Sequence, residues 1–181
     1  MNLIYNTRIS FGRRNLQKLT VKHRINTQIV PFNEAKNIIL LFSTEQVHEI
    51  KQIKNLVNEL TAQNKNVKTI GFVDQNNLAE FKAEAHNLNY ITIEHLNFNL
   101  TIKEEVLKAY KQEYDILINL SAKNELQLSL IAAKLDAKFK IGRYDSERSF
   151  VYDFMIDSKK DSSIYNFVTE LKHYLSVLEH D

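Results

Sequence analysis

The sequence predicts an α/β fold: a doubly wound, mostly parallel β-sheet of five to six strands, preceded by a basic N-terminal helix. Three observations predict it. The chain has 181 residues, which is close to the commonest size of one domain. Apolar runs of strand length alternate with segments of helical periodicity along most of the chain. A basic segment without any acidic residue precedes the first of these runs.

The N-terminal segment predicts a short basic helix over residues 8–24, with a narrow apolar face that includes Leu16 and Leu19. The only proline of the chain lies in the extended linker that follows. We therefore divide the chain into an N-terminal helix and linker, residues 1–36, and a Rossmann-like α/β domain, residues 37–181.

Six segments read as strands. The continuous apolar runs at 37–43 and 115–121 are typical of central strands that are covered on both faces. The complete set of predicted strands is 37–43, 67–74, 89–94, 115–121, 139–142 and 151–157. The short connection before the last strand leaves an antiparallel direction open for it.

Five helices are predicted between and after these strands. Two of them begin at expected capping boxes, Ser43 with Gln46 and Thr101 with Glu104. The others are a weaker helix at 77–87, an apolar helix at 124–136 and a C-terminal helix at about 161–179. The apolar stripe of the C-terminal helix predicts that it packs on the sheet through Phe167, Val168, Leu171 and Leu175.

Ligands of open α/β sheets bind beyond the carboxyl ends of the strands. The polar residues expected there form the candidate small-ligand site: Ser43, Thr44, Asp74, Ser121 and Arg143. Helix caps, strand ends and turns explain these residue types better than a ligand site does, so a structural role is the first interpretation of each.

Several kinds of site are disfavoured by composition and motif. The chain has three glycines and no cysteine, so a glycine-rich phosphate loop and thiolate chemistry are not expected. The six histidines show no metal-ligand spacing, and no nucleophile elbow is present. We therefore predict no catalytic residue, no metal and no cofactor, and no apolar run is long enough to span a membrane.

The charge distribution is the strongest functional signal. All acidic residues lie at or after Glu34, whereas six basic residues precede it: Arg8, Arg13, Arg14, Lys18, Lys22 and Arg24. Such a segment is compatible with binding to the phosphates of RNA, with an anionic membrane surface, with a targeting peptide, or with a solvated helix that lies against the acidic body.

Two resemblances to known families accompany these patterns. The segments FNEAKNIILLFS, KNVKTIGFVD and YDILINLSAKNELQLSLIAAKLDAKFKIGR, followed by YDFMID, resemble an uncharacterised family of bacterial proteins of unknown function. That resemblance implies a bacterial cytoplasmic protein and transfers no site residue. Residues 114–143 are also similar to a segment of heptosyltransferase-type glycosyltransferases, which implies a shared α/β motif.

The leading hypothesis is a non-catalytic binding protein whose basic N-terminal arm contacts an anionic partner, RNA or a ribonucleoprotein such as the ribosome. One alternative is a small or degenerate glycosyl- or nucleotide-dependent transferase with its site at the strand ends. Another is a structural subunit whose arm docks on a protein partner.

Overall fold

The structure is a computed structural model that describes residues 3–23, 28–123, 125–158, 161 and 163–178. The helices are α1 (Leu3–His23), α2 (Val47–Ala62), α3 (Leu78–Glu84), α4 (Glu104–Leu107), α5 (Leu126–Lys134) and α6 (Ile164–Leu178). The strands are β1 (Asn37–Ser43), β2 (Asn66–Phe72), β3 (Tyr90–Ile91), β4 (Tyr114–Asn119), β5 (Ala137–Arg143) and β6 (Phe154–Ile156).

The six strands form one sheet in the order β3-β2-β1-β4-β5-β6, and every neighbouring pair is parallel. Strands β1, β2 and β3 follow one another toward one edge of the sheet. The chain then returns to the other side of β1, where β4, β5 and β6 follow one another toward the opposite edge. This is the strand order of Rossmann-type sheets, and it confirms the predicted α/β fold. The order reverses between β1 and β4, whose carboxyl ends define the switch point of the sheet.

The sheet is buried on both faces, which explains the uninterrupted apolar sequence of its central strands. Residues of β1 alternate between two cores: Leu40 and Phe42 contribute to the core beneath α2, α3 and α6, whereas Ile39 and Leu41 contribute to the core beneath α4 and α5. A glycine is needed on the neighbouring strand, because a Cβ atom at Gly71 would lie 2.3 Å from Cζ of Phe42.

Helix α1 forms an additional layer outside α5. Leu16 is buried in the same core as the inner face of α5. A Cβ atom at Gly12 would lie 3.0 Å from Cδ2 of Leu126 and 3.5 Å from Cδ1 of Leu130, so this glycine permits close approach of the two helices. Covered by the sheet on one side and by α1 on the other, α5 is apolar around most of its circumference.

Two local expectations are wrong. Ser43 does not cap α2: its hydroxyl donates to Glu125, and the Thr44 hydroxyl accepts from the backbone N–H of Gln46 instead. Thr101 does not cap α4 either, because its hydroxyl donates to Oδ1 of Asn99. The two threonines, Thr44 and Thr101, bond locally within turns that precede the helices, whereas Ser43 bonds to a residue far away in the chain.

Candidate functional site

The outer face of α1 carries three of the basic residues that the sequence singles out. The side chains of Arg13, Arg14 and Lys18 are exposed to solvent. Arg13 lies 4.0 Å from a carboxylate oxygen of Glu147, with both side chains more than two-thirds exposed, so this ion pair leaves the guanidinium accessible. The side chain of Lys22, and Arg24 as a whole, lie outside the described residues.

Arg8 has a different environment from its neighbours on α1. Its Nε donates a hydrogen bond of 2.9 Å to the carbonyl oxygen of Phe98, and its Nη2 donates one of 3.4 Å to the carbonyl oxygen of Asn97. The guanidinium carbon also lies 5.8 Å from the centroid of the Phe98 ring. Arg8 therefore joins α1 to the loop between β3 and α4.

An exposed aromatic pair accompanies these cations. Phe11 of α1 is 50% exposed and Phe98 of the loop is 56% exposed, and their rings meet edge to face with centroids 6.4 Å apart. Two large aromatic rings that stay open to solvent are available for stacking. The sequence does not single out Phe98 as a site residue, and its one local signal is an aromatic between the asparagines Asn97 and Asn99.

The predicted small-ligand residues do not converge on one site. Ser43 and Thr44 line a cleft of about 540 Å³ beside the N-terminus of α2, together with Lys123, Asp161 and Ser163 among others. The same two residues border a smaller cleft of about 210 Å³ that also includes Asp74. Ser121 and Arg143 are not among the lining residues of either cleft.

Hydrogen bonds within the fold occupy three of these residues. Asp74 accepts from the backbone N–H of Asn76, which is a turn interaction, and the Ser121 hydroxyl donates to the carbonyl oxygen of Lys123. Arg143 has the most extensive set of bonds. Its guanidinium donates to the Leu120 carbonyl at 3.2 Å, the Ser158 hydroxyl at 2.7 Å and the Ser163 carbonyl at 3.1 Å.

Arg143 therefore ties the end of β5 to the end of β4 and to the start of α6. Its guanidinium also lies 4.4 Å from the ring centroid of Phe167, and burial lowers the pKa of Arg143 to about 10. A half-buried guanidinium with these partners joins three segments of the fold, and its donors are directed at protein atoms.

The electrostatics of the larger cleft do not favour a phosphate. Glu45, Glu49 and Asp161 all lie on its walls. The ammonium of Lys123, which also lines it, is paired with Glu45 at 2.6 Å. The Thr44 hydroxyl donates to Glu49, so a carboxylate of the chain itself lies near the start of α2, where an anion of a ligand would bind.

Two kinds of feature are absent from the part of the chain that the structure describes. No group of three or more histidine, aspartate or glutamate side chains within it is arranged to hold a metal ion. No described helix is long and apolar enough to cross a membrane.

The chain was compared with protein families, curated proteins and solved structures. Neither the curated proteins nor the solved structures contain one that matches the chain. The model of a family of unknown function, DUF6913, matches residues 8–178, which is most of the chain. The chain therefore belongs to this family of unknown function, DUF6913.

Proposed function

We propose that the chain is a non-catalytic binding protein that contacts RNA, free or within a ribonucleoprotein, through the outer face of α1. One observation carries the proposal: the side chains of Arg13, Arg14 and Lys18 on α1 are exposed to solvent, and the same helix contributes Phe11 to an exposed aromatic pair with Phe98. Cations that meet phosphates and aromatic rings that stack on bases are the two elements of single-strand recognition.

The inner face of α1 supports this choice over a membrane surface. An interfacial helix inserts its apolar face among lipids. Here the apolar face is already used within the protein, because Leu16 is 3% exposed and Gly12 lies against Leu126 and Leu130. The surface left to a partner is basic and aromatic, which suits a polyanion with exposed bases.

The acidic cleft at the switch point gives less support to a nucleotide-dependent transferase. The phosphates of a nucleoside diphosphate would have to approach Glu45, Glu49 and Asp161, whose carboxylates repel them. No residue of α1 lines this cleft, and the exposed cations Arg13, Arg14 and Lys18 lie on α1.

The test is a triple substitution of Arg13, Arg14 and Lys18 by glutamine. Binding of a fluorescently labelled single-stranded RNA is measured by anisotropy over a range of salt concentrations. We expect weaker binding and a log–log salt slope that is smaller in magnitude by about 2, because each lost phosphate contact with a single strand removes about 0.7. The melting temperature should not change, since all three side chains are exposed.

A matched control removes the same charge elsewhere. Lys51, Lys82 and Lys108 are exposed on other helical segments of the body, and their replacement by glutamine should leave the salt slope at its wild-type value. Absence of RNA binding by the wild-type protein, or an equal loss in both triple variants, would contradict the proposal.

A further inference from the structure

The loop between β3 and α4 presents Phe98 at the tip of a tight turn. The backbone N–H of Leu100 donates to the carbonyl oxygen of Asn97 at 3.0 Å, which closes the turn around Phe98. Leu96 and Leu100, on either side of the tip, are buried in the core. The backbone that carries this ring is therefore fixed by the fold, while the ring itself is 56% exposed.

Arg8 fixes the position of this turn relative to α1. Its guanidinium donates to the carbonyl oxygens of Phe98 and Asn97, and its central carbon lies 5.8 Å from the centroid of the Phe98 ring. Two donors of one planar group make these bonds, and the point charge of a lysine does not reproduce that geometry. Arg8 therefore holds Phe98 in place, whereas Arg14 and Lys18 are exposed to solvent.

The ring of Phe11 forms a small aromatic surface together with that of Phe98. The two rings meet at an interplanar angle of 61°, and each is about half exposed. Groups that are already fixed lose little conformational freedom on binding, and the flat face of any nucleobase can stack on an aromatic ring. Paired bases are stacked inside their helix, so an unpaired base is the one that can reach this surface.

Two exposed cations follow Phe11 along the same face of α1. Arg14 and Lys18 lie three and seven residues after Phe11, which is the spacing of one helix face. At the standard helical rise they are about 4.5 Å and about 10.5 Å further along the helix axis. A strand that follows this face with one base on the rings brings its phosphates next to both cations.

We infer that Phe11 and Phe98 form a stacking site for one unpaired base of a single-stranded RNA, and that Arg8 is the positioning residue that holds Phe98 in this site. The inference rests on the proposed function and narrows its substrate class from RNA to single-stranded RNA. Base stacking tolerates every base, so the site gives little sequence preference.

The experiment compares the wild-type full chain with its Phe98→Leu variant. The probe is a short oligouridylate with one central 2-aminopurine, a base whose fluorescence falls when it stacks. We expect the wild-type protein to quench this fluorescence, and the variant to lose the quenching and bind the strand about tenfold more weakly. The log–log salt slope should keep its wild-type value, because the substitution removes no charge. The melting temperature should not change, because the ring is exposed.

Two comparisons separate stacking from other effects of the substitution. The Phe98→Leu variant should bind a duplex RNA as tightly as the wild-type protein does, since paired bases do not reach the rings. Tyr165→Leu is the matched control, because it removes a ring that is 71% exposed on α6. This control should keep the wild-type quenching and affinity, and equal losses in both leucine variants would overturn the assignment to Phe98.

Arg8→Lys tests the positioning role. Lysine keeps the charge but not the paired hydrogen bonds to the turn, so we expect this variant to lose the quenching at an unchanged salt slope. Arg8→Gln should lose the quenching as well. Wild-type quenching in Arg8→Lys, together with a loss in Arg8→Gln, would show that Arg8 acts through its charge and would overturn the positioning role.

The outcomes distinguish this inference from the proposed function. Single-strand binding that Phe98→Leu leaves unchanged overturns the inference and leaves the proposed function standing; it is the result expected if the rings contact a protein partner instead. Quenching that is lost in Phe98→Leu, with a salt slope that falls only in the triple glutamine variant, supports both. If the wild-type protein binds neither single-stranded nor duplex RNA, both are wrong.

Discussion

Lys140 is a charged residue in the interior of the protein. It lies on β5 and is 4% exposed, and its Nζ donates a hydrogen bond of 2.8 Å to the carbonyl oxygen of Ala132 on α5. Burial lowers its pKa to about 8, against the opposing effect of the carboxylates of Asp153 and Asp136. Folding therefore disfavours the charged form of this lysine.

The sign of the resulting pH dependence follows from proton binding. Between about pH 8 and pH 10.5 the unfolded chain holds this proton and the folded chain has lost it, so the free energy of unfolding rises with pH. We expect Lys140→Met to remove about 2 kcal/mol of that rise between pH 8 and pH 10, measured by urea unfolding. Lys82→Met, at an exposed position of α3, should keep the wild-type slope.

Sequence reasoning identifies few of these individual environments. Lys140 falls in a predicted strand, but its partner is a helix-end carbonyl that local pattern does not reveal. Phe98 acquires its significance only when α1 lies against the body, through contacts between residues far apart in the chain. Arg143 lies at the end of a strand as predicted, yet only its three bonds show how its donors are used.

At the scale of elements, periodicity is most informative for long amphipathic helices. In α6 the expected residues Phe167, Leu171 and Leu175 are buried, and Val168 is half-buried against the same core. Tyr174 has the helical spacing of the same apolar stripe but is 43% exposed, because its ring lies at the edge of the sheet against Phe154 with centroids 5.8 Å apart. A stripe read from sequence is wider than the face that the sheet covers.

Truncation of a buried leucine in α6 tests this face. Leu171 is 3% exposed, so we expect Leu171→Ala to lower the free energy of unfolding by about 2–5 kcal/mol through lost burial and a residual cavity. Val177 is 49% exposed on the same helix, and Val177→Ala should change stability by less than about 0.5 kcal/mol. Chemical denaturation of both variants measures the difference, and equal effects would show that the face is misassigned.

Short elements depend on tertiary contacts that sequence does not specify. The segment around Tyr90 has the alternation of a strand, but only Tyr90–Ile91 pairs with β2 before the chain turns at Thr92 into a 3₁₀-helix. The expected cap at Thr101 is replaced by hydrogen bonds with Asn97 and Asn99 in the preceding turn. Local hydrogen bonding thus shortens elements whose propensity alone would extend them.

For the molecule as a whole, alternating strands and helices are sufficient to predict a parallel sheet, but not its order. The crossover from β3 to β4 places β4 beside β1, and no local pattern marks that return. β6 is parallel to β5 despite the short connection, since residues 144–153 form a crossover that contains a 3₁₀-helix at Ser146–Arg148 and buries Val151 and Tyr152 in the core on the α5 face. The antiparallel direction left open for this strand is therefore excluded.

The layering of α1 on α5 is the other whole-molecule feature that composition does not reveal. An apolar helix such as α5 predicts burial, yet the segment that covers its outer side lies far earlier in the chain and reads as a marginal basic helix. Leu16 and Gly12 provide the contact, and Arg13, Arg14 and Lys18 are exposed to solvent. Helix α1 thus covers the outer side of α5 and also presents positively charged side chains to solvent.

Removal of residues 1–23 separates these two contributions. Without α1, Leu126 and Leu130 lose their cover, so we expect the melting temperature to fall by about 5–10 °C and the truncated chain to bind an apolar dye such as ANS. The variant with glutamine at positions 13, 14 and 18 is the matched control, because it retains the apolar contact and should melt at the wild-type temperature. A truncated chain with unchanged melting temperature and no dye binding would show that α1 contributes nothing to the fold, since burial of Leu16 cannot be lost without a measurable loss of stability.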